Sequence, residues 1–345
     1  MASHEILFLN NRAMREAGAE DMAAALTDVE KIYRMYIEGG LTIPDKVVLR
    51  FGTQPRTEHI DGRINCMPGL IRGDYNMAGV KWIGSGPNNR EKGLPRASVT
   101  IILNDVDTKL PLCIADGTAI SAKRTGASGG VAMKYLSRKD SRVITVCGAG
   151  AQGRTQLEAA MLVRPSLRKV YVYDIFAPAS ESYVREMRAR YPQAGFEAVD
   201  AEWLPSAVAE SDIVVTATLA DEAVVKAAWV TKGTLLINMA AVEMEYDCIR
   251  MADKVVVDFW NSVKHRLSST IAHMAADGLF KDEELHAEIG EIVLGRKPGR
   301  ETDDEIIYYN PVGAGVLDLA VAIRCYRKAL EPGIGIRLPY WEELE

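Results

Sequence analysis

Short apolar runs recur through the second half of this 345-residue chain, each followed by enough polar sequence to form a helix or loop. Residues 143–147, 170–173, 213–216, 235–238 and 254–257 are mostly continuous rather than alternating, and rich in valine and isoleucine. That is the pattern of strands buried on both faces, as in a parallel sheet. Strands and helices alternating in this way predict a doubly wound α/β domain. The segment 267–294 reads as a surface-lying helix, and 305–309 as a last strand behind the polar loop 298–304. The turn Asn310-Pro311-Val312-Gly313 then leads into a final helix at 316–330.

The first third has a different rhythm. Strand-like pieces at 5–9, 46–51, 62–67, 78–84 and 98–104 are separated by turn chemistry at Pro68-Gly69, 86–89 and 104–107. With no helix between the last four, they predict a mainly antiparallel sheet in an α+β domain. A helix at 17–38, closed by Gly39-Gly40, lies beside it, and a long helix at 116–137 bridges the two domains. The tail 333–340 is expected to return to the first domain as an edge strand. The domains expected are therefore 1–125 with 310–345, and 126–309.

One stretch carries chemistry as well as pattern. In R-V-I-T-V-C-G-A-G-A-Q-G, residues 142–153, a buried strand runs into Gly148, Gly150 and Gly153 at G-x-G-x-x-G spacing, and a helix follows. Gly148 permits the tight turn, Gly150 lets the backbone approach a pyrophosphate, and Gly153 lets the helix pack against the strand. The helix N-terminus then offers unpaired N–H groups to the phosphates. Asp174 ends the next strand, about twenty residues past the last glycine. It is placed to accept the ribose hydroxyls of NAD and to repel the 2′-phosphate of NADP. No arginine follows it in I-F-A-P-A-S, so NAD is the expected cofactor of a Rossmann-type domain.

Composition narrows the class. A net charge of −6 with scattered basic residues gives no footprint for nucleic acid or a membrane surface. No apolar run reaches the roughly eighteen residues that span a bilayer. The start, M-A-S-H-E-I-L-F, lacks the basic and apolar regions of a signal peptide. Five widely spaced cysteines suggest reduced thiols in the cytoplasm rather than disulfides or a zinc site. The five histidines show no metal-ligand spacing, so no metal is expected. The absence of G-x-x-x-x-G-K-[ST] and G-x-S-x-G leaves phosphoryl transfer and serine hydrolysis without support.

Candidate reacting groups lie in both halves. Lys46, Arg50, Lys81, Arg96 and Arg124 are cations beside turns or within elements of the first domain. Lys81, in A-G-V-K-W-I-G-S, sits between apolar neighbours where a solvated lysine is unexpected. Desolvated beside other cations, it would have a depressed pKa and serve as acid or base near neutrality. Arg124, just ahead of the dinucleotide fold, could grip a substrate carboxylate bidentately. Ligands of doubly wound sheets bind beyond the carboxyl ends of strands, which places Thr216, Thr218 and the backbone at 238–241 along the nicotinamide half. Glu243 follows on the same loop, within reach of a substrate.

Five motifs then match one family over nearly the whole chain: G-V-K-W-I-G-S (79–85), K-R-T-G-A-S (123–128), G-A-G-A-Q-G (148–153), the strand end at Asp174, and N-P-V-G-A-G-V-L-D (310–318). The sequence resembles the ornithine cyclodeaminase/mu-crystallin family. The resemblance implies an NAD-dependent enzyme acting on a small amino-acid substrate, and a homodimer whose first domain supplies the substrate floor and the partner contact. It implies substrate-carboxylate and catalytic roles for Lys46 and Lys81, and a place near nicotinamide and substrate for Arg124 with Thr125. It implies cofactor contacts for Ala151, Gln152, Asp174, Thr216, Asn238, Met239, Ala240, Ala241 and Val312.

Within the family, R-A-S-V-T-I-I-L-N-D (96–105) and P-G-R-E-T-D-D-E-I-I (298–307) look most like the branch that makes 2,3-diaminopropionate. Those enzymes oxidise N-(2-amino-2-carboxyethyl)-L-glutamate with NAD, releasing diaminopropionate and 2-oxoglutarate. Two positions depart from the cyclodeaminases. Arg96 replaces a small hydroxyl residue, adding a cation that suits a substrate with several carboxylates. Glu243 stands where an aspartate is usual, and on this reading it takes part in hydrolysing an imine. The alternatives are ornithine cyclodeaminase, alanine dehydrogenase or a cyclic-imine reductase, and a mu-crystallin-like NADPH-binding protein, which Asp174 opposes.

Overall fold

A computed structural model describes residues 3–52, 61–239, 241–266, 268–331 and 333–342. They fall into two units, Met1–Arg124 with Ala314–Glu345, and Thr125–Gly313. The first crossing lies inside the Thr118–Leu136 helix.

The first unit is built on β1 (Ser3–Leu9), β2 (Leu41–Thr42), β3 (Val47–Arg50), β4 (Arg63–Ile71), β5 (Met77–Ser85), β6 (Ala97–Asp105) and β7 (Pro111–Asp116). The last strand of the chain, β16 (Ile336–Glu342), completes a sheet ordered β16-β1-β7-β6-β5-β4-β2, with β3 also on β4. All pairs are antiparallel except β1 with β7. The tail is thus an edge strand, as its sequence suggests.

Three expectations change here. Pro68-Gly69 is not a turn: both residues lie inside β4, opposite Val80 and Gly79. Pro68 falls in the gap between the partners β3 and β2, where no described strand needs its missing N–H. Gly69 is there for close approach, since a Cβ would sit 2.5 Å from the Val316 side chain on the Gly315–Ala329 helix. The expected helix 17–38 starts later, as Met22–Ile37, and a separate helix, Asn11–Glu16, precedes it. Gly18 at φ 88° breaks the run, and Asp21 restarts it by accepting from the Ala24 N–H at 3.0 Å. Finally, β7 goes unread in the sequence.

The second unit carries β8 (Val143–Cys147), β9 (Lys169–Tyr173), β10 (Gly195–Val199), β11 (Ile213–Thr216), β12 (Leu235–Asn238), β13 (Lys254–Val257), β14 (Ala287–Glu288) and β15 (Ile307–Asn310). Every pair is parallel, in the order β10-β9-β8-β11-β12-β15-β13-β14. β8, β11, β12 and β13 match the sequence expectation, and four of the five residues of β8 and all of β11–β13 are buried. The chain winds away from β8 in one direction through β9 and β10, then restarts on its other side at β11. That reversal is a topological switch point. The region 267–294 is not one surface helix. It breaks into Thr270–Ala276, Asp282–Glu284, β14 and Ile289–Val293, because Gly278 turns at φ 72° and Ile271, Met274, Ile289 and Ile292 are buried. Leu267 itself lies outside the described residues.

Candidate active site

The second unit presents its glycine loop at the switch point. Gly148 stands at φ 110°, and a Cβ there would lie 2.5 Å from the Ala217 carbonyl oxygen, so only glycine lets the ends of β8 and β11 meet. A Cβ on Gly153 would run into the Gly148 carbonyl, which fixes the close packing of the Ala151–Val163 helix on the loop. A Cβ on Gly150 would meet nothing within 4 Å. That helix has Gly150 as its N-cap and no side-chain cap, leaving its first turn of N–H groups suited to an anion. Asp174 is partly buried and accepts from Ala149 N at 2.9 Å and Phe176 N at 3.0 Å, tying the acid to the loop. Arg154, not singled out from sequence, holds the loop from the helix side by donating to the carbonyls of Ala149 and Gly150. Together these residues fit the pyrophosphate and ribose of a dinucleotide.

Beyond the strand tips lies a buried polar network. Glu243 is fully buried. One carboxylate oxygen accepts from Thr216 Oγ1 at 3.0 Å, Asn238 Nδ2 at 2.8 Å and Ala241 N at 3.3 Å. The other accepts from the Thr218 N–H and from Thr218 Oγ1 at 2.7 Å. Thr216, Thr218, Asn238 and Ala241 are therefore brought together by one side chain. Met239 joins them through its N–H, 3.0 Å from the Thr216 carbonyl, while Ala240 lies outside the described residues. The sequence places Glu243 within reach of a substrate; in the structure both its oxygens accept hydrogen bonds from these loops.

Val312 is held in a second clasp. Buried Asp258 accepts from Val312 N at 2.9 Å and Gly313 N at 2.6 Å, Arg266 donates to the Val312 carbonyl, and Asn310 Nδ2 donates to the Asn238 carbonyl. Burial pushes the Asp258 carboxyl above its ordinary range, against the pull of those N–H groups. Cys147, at the end of β8, keeps its proton: burial raises its thiol, and the Glu243 charge adds to the effect.

The first unit gathers cations. Lys81, on β5 opposite Met67 and Ile101, is 1% exposed. Its Nζ donates to Asp318 Oδ1 at 2.6 Å and Ser121 Oγ at 2.8 Å. Asp318, fully buried, also lies 3.0 Å from Arg124 Nε through its other oxygen. Ser121 and Arg124 are three residues apart on one helix face. Asp318 arrives because Gly69 and Gly315 let the Gly315–Ala329 helix press onto β4, where a Cβ on either would collide with the facing element. A Cβ on Gly79 of β5 would run into the Ile102 carbonyl oxygen and sit 3.1 Å from Leu319. The partner of Lys81 is thus a carboxylate, where the sequence reading weighed only neighbouring cations.

Lys46 and Arg96 stand further off. Lys46 precedes Val47, whose partner is Cys66, so it extends the register towards Met67 and lies about 10 Å from Lys81, two strand spacings away. Arg96 precedes β6, five residues from the Ile101 that faces Lys81, or roughly 16 Å along the strand. Arg50 is exposed at the end of β3. Thr125 gives its carbonyl to Gln156 Nε2 at 2.8 Å. Among the described residues no cluster of His, Cys, Asp and Glu is arranged to hold a metal, and no helix is long and apolar enough to cross a membrane.

The model of the ornithine cyclodeaminase/mu-crystallin family matches residues 11–333. The chain belongs to that family. A Staphylococcus aureus relative, N-((2S)-2-amino-2-carboxyethyl)-L-glutamate dehydrogenase, is 34% identical over 97% of this chain and 99% of its own. A solved archaeal alanine dehydrogenase dimer with bound NAD superposes with a TM-score of 0.88 at 33% identity, covering 98% of this chain and 100% of that one. The Δ1-pyrroline-2-carboxylate reductase of Thermococcus litoralis, solved with NADH and L-proline, gives 0.86 at 33% identity over 96% and 99%. In this family member the residues missed from sequence are Asp318, Ser121 and Arg154. Asp318 sits within a quoted motif, but V-L-D-L-A-V-A reads as a buried helix and says nothing of a partner 237 positions away.

Proposed function

We propose that this family member is an NAD-dependent dehydrogenase acting at a carbon–nitrogen bond, with N-(2-amino-2-carboxyethyl)-L-glutamate as its substrate. The observation that carries the reading is the placement of Lys81 and Arg124 around one buried carboxylate, with Lys46 on the same sheet face. Two cations against one anion leave a net positive charge, and Lys46 adds a second carboxylate anchor at a distance. That suits a substrate with three carboxylates better than ornithine, whose far end is an ammonium. The identity to the Staphylococcus aureus relative supports the same choice.

The glycine loop, Asp174 and the Thr216–Asn238 tips would hold NAD, and bound there it supplies a two-electron acceptor for the α-hydrogen of the glutamate moiety. The chain's own groups do the rest. Arg124 and Lys81 anchor the α-carboxylate, keeping the carbon–nitrogen bond in one orientation. Loss of the α-hydrogen with its electron pair, and of the N–H proton, leaves an imine. Water adds, the carbon–nitrogen bond breaks, and diaminopropionate and 2-oxoglutarate leave. The Lys81 ammonium is the group placed to give the departing amine its proton. Glu243 does not touch the reacting atoms on this reading; it shapes the loops beneath the cofactor.

The same reading makes the protein a homodimer through its first unit. The sheet face opposite Lys81 carries Val47 at 66%, Leu49 at 52% and Trp82 at 44% exposure, an apolar surface that water covers poorly. Trp82→Glu is expected to halve the mass seen by light scattering; an unchanged mass would move the interface elsewhere.

The function is tested by mixing purified protein, NAD and the substrate while following absorbance at the reduced-nicotinamide band and 2-oxoglutarate by mass spectrometry. Equal amounts of both are expected. Proline and ammonia from ornithine without net NADH, or reduction of cyclic imines alone, would replace this reading with one of its family alternatives.

A further inference from the structure

We propose that Asp318 is a positioning residue that locks Lys81 as an ammonium and aims it, so that Lys81 acts as a fixed cation and acid rather than as a base. The inference deepens the reading above and rests on it only for its consequence in catalysis. An ammonium that is 1% exposed has lost its water, and burial alone would favour the neutral amine. Every group facing Lys81 must therefore be weighed. Its strand neighbours Met67 and Ile101 are apolar. The Thr118–Leu136 helix brings Ser121, a neutral acceptor at 2.8 Å, and Arg124, a second cation. Lys46 extends the register beyond Met67 and adds positive charge at longer range. Among the described residues the Gly315–Ala329 helix brings an anion, Asp318 at 2.6 Å. At that distance in a site without solvent, the carboxylate outweighs the more distant cations.

Geometry adds a second role. An ammonium has three N–H bonds, and two of them are spoken for by Asp318 and Ser121. Two such bonds hold the ammonium in one orientation, which a flexible lysine chain would otherwise leave undefined. Asp318 also lies 3.0 Å from Arg124 Nε, so one carboxylate faces both cations.

The test reads charge directly. Protein labelled at lysine Cε, saturated with NADH, is titrated by carbon–proton NMR, with the Lys81 signal assigned by its absence in Lys81→Arg. The expected result is an ammonium shift retained beyond pH 9 in the wild type and lost at least a hundredfold more readily, two pH units lower, in Asp318→Asn. A cooperative urea transition with a wild-type far-ultraviolet circular dichroism spectrum shows that Asp318→Asn is folded. Should it not fold, the wild-type titration still decides: a neutral Lys81 at pH 7.5 overturns the proposal, as does an Asp318→Asn titration superposable on the wild type. In turnover, Asp318→Asn should lose about 10²-fold in kcat/KM at pH 8 and regain most of it at pH 6. Asp318→Asn combined with Lys81→Arg should show no such pH dependence, because a guanidinium does not titrate there. If the NMR holds while the tested substrate is not turned over, the substrate reading fails and the lysine assignment stands.

Discussion

Asp318 in the first unit and Glu243 in the second, both fully buried carboxylates, are held in opposite ways. Asp318 is held by charges, Lys81 at 2.6 Å and Arg124 at 3.0 Å. Glu243 is held by neutral donors from Thr216, Thr218, Asn238 and the Ala241 N–H. A carboxylate between cations sets the electrostatics of a pocket, because removing it changes the charge state of its neighbours. A carboxylate among hydroxyl and amide donors sets shape, because what it loses on substitution is the arrangement of two strand ends. On the proposed reading the first unit carries the substrate chemistry and the second the cofactor floor.

Lys81→Met attacks the first carboxylate's partner and has the largest expected effect. kcat/KM should fall about 10³-fold, and the stranded Asp318 should destabilise the fold by about 3–5 kcal/mol. Urea melts beside steady-state kinetics check both, and NADH affinity within twofold of wild type would show the second unit untouched. Gly148→Ala comes next. A side chain at φ 110° pressed on the Ala217 carbonyl should weaken NADH binding about 10²-fold, by 2–3 kcal/mol of strain and displacement. Fluorescence titration reads it.

Glu243→Gln sharpens the comparison most finely. An amide NH₂ would face donors, costing about 1–3 kcal/mol and raising the KM for NAD about tenfold, while kcat stays within about threefold. A collapse of kcat at unchanged NAD affinity would return Glu243 to the chemistry. The smallest effect is a pH dependence. Burial raises the folded-state pKa of Asp258 above its ordinary 3.8, so the folded protein binds more protons than the unfolded chain just above that value. Stability contributed by this group therefore falls as pH rises through the window. In Asp258→Asn that slope should vanish from urea midpoints measured from pH 4 upward.

The parallel-sheet strands were legible because burial on both faces leaves an unbroken apolar run, as in Val143–Cys147. The glycine triplet was legible because its spacing answers to one geometry. Pro68-Gly69 misled, since the two strongest turn residues serve instead a gap in pairing and a helix pressed close. β10, G-F-E-A-V, is an edge strand with a charged residue at its centre and shows no run at all. Glu243 was visible but not its orientation, which depends on the ends of two strands meeting around it. Asp318 was hidden for a related reason: a lone acid in an apolar helix announces burial, while its partner comes from a strand far away in sequence.

The account stands or falls on where the electrons leave the substrate. N-(2-amino-2-carboxyethyl)-L-glutamate deuterated at the glutamate α-carbon should, in a single turnover, yield reduced nicotinamide one mass unit heavier and 2-oxoglutarate free of the label at its carbonyl carbon. Reduced nicotinamide without deuterium, or deuterium retained in the recovered amino acid, would contradict it.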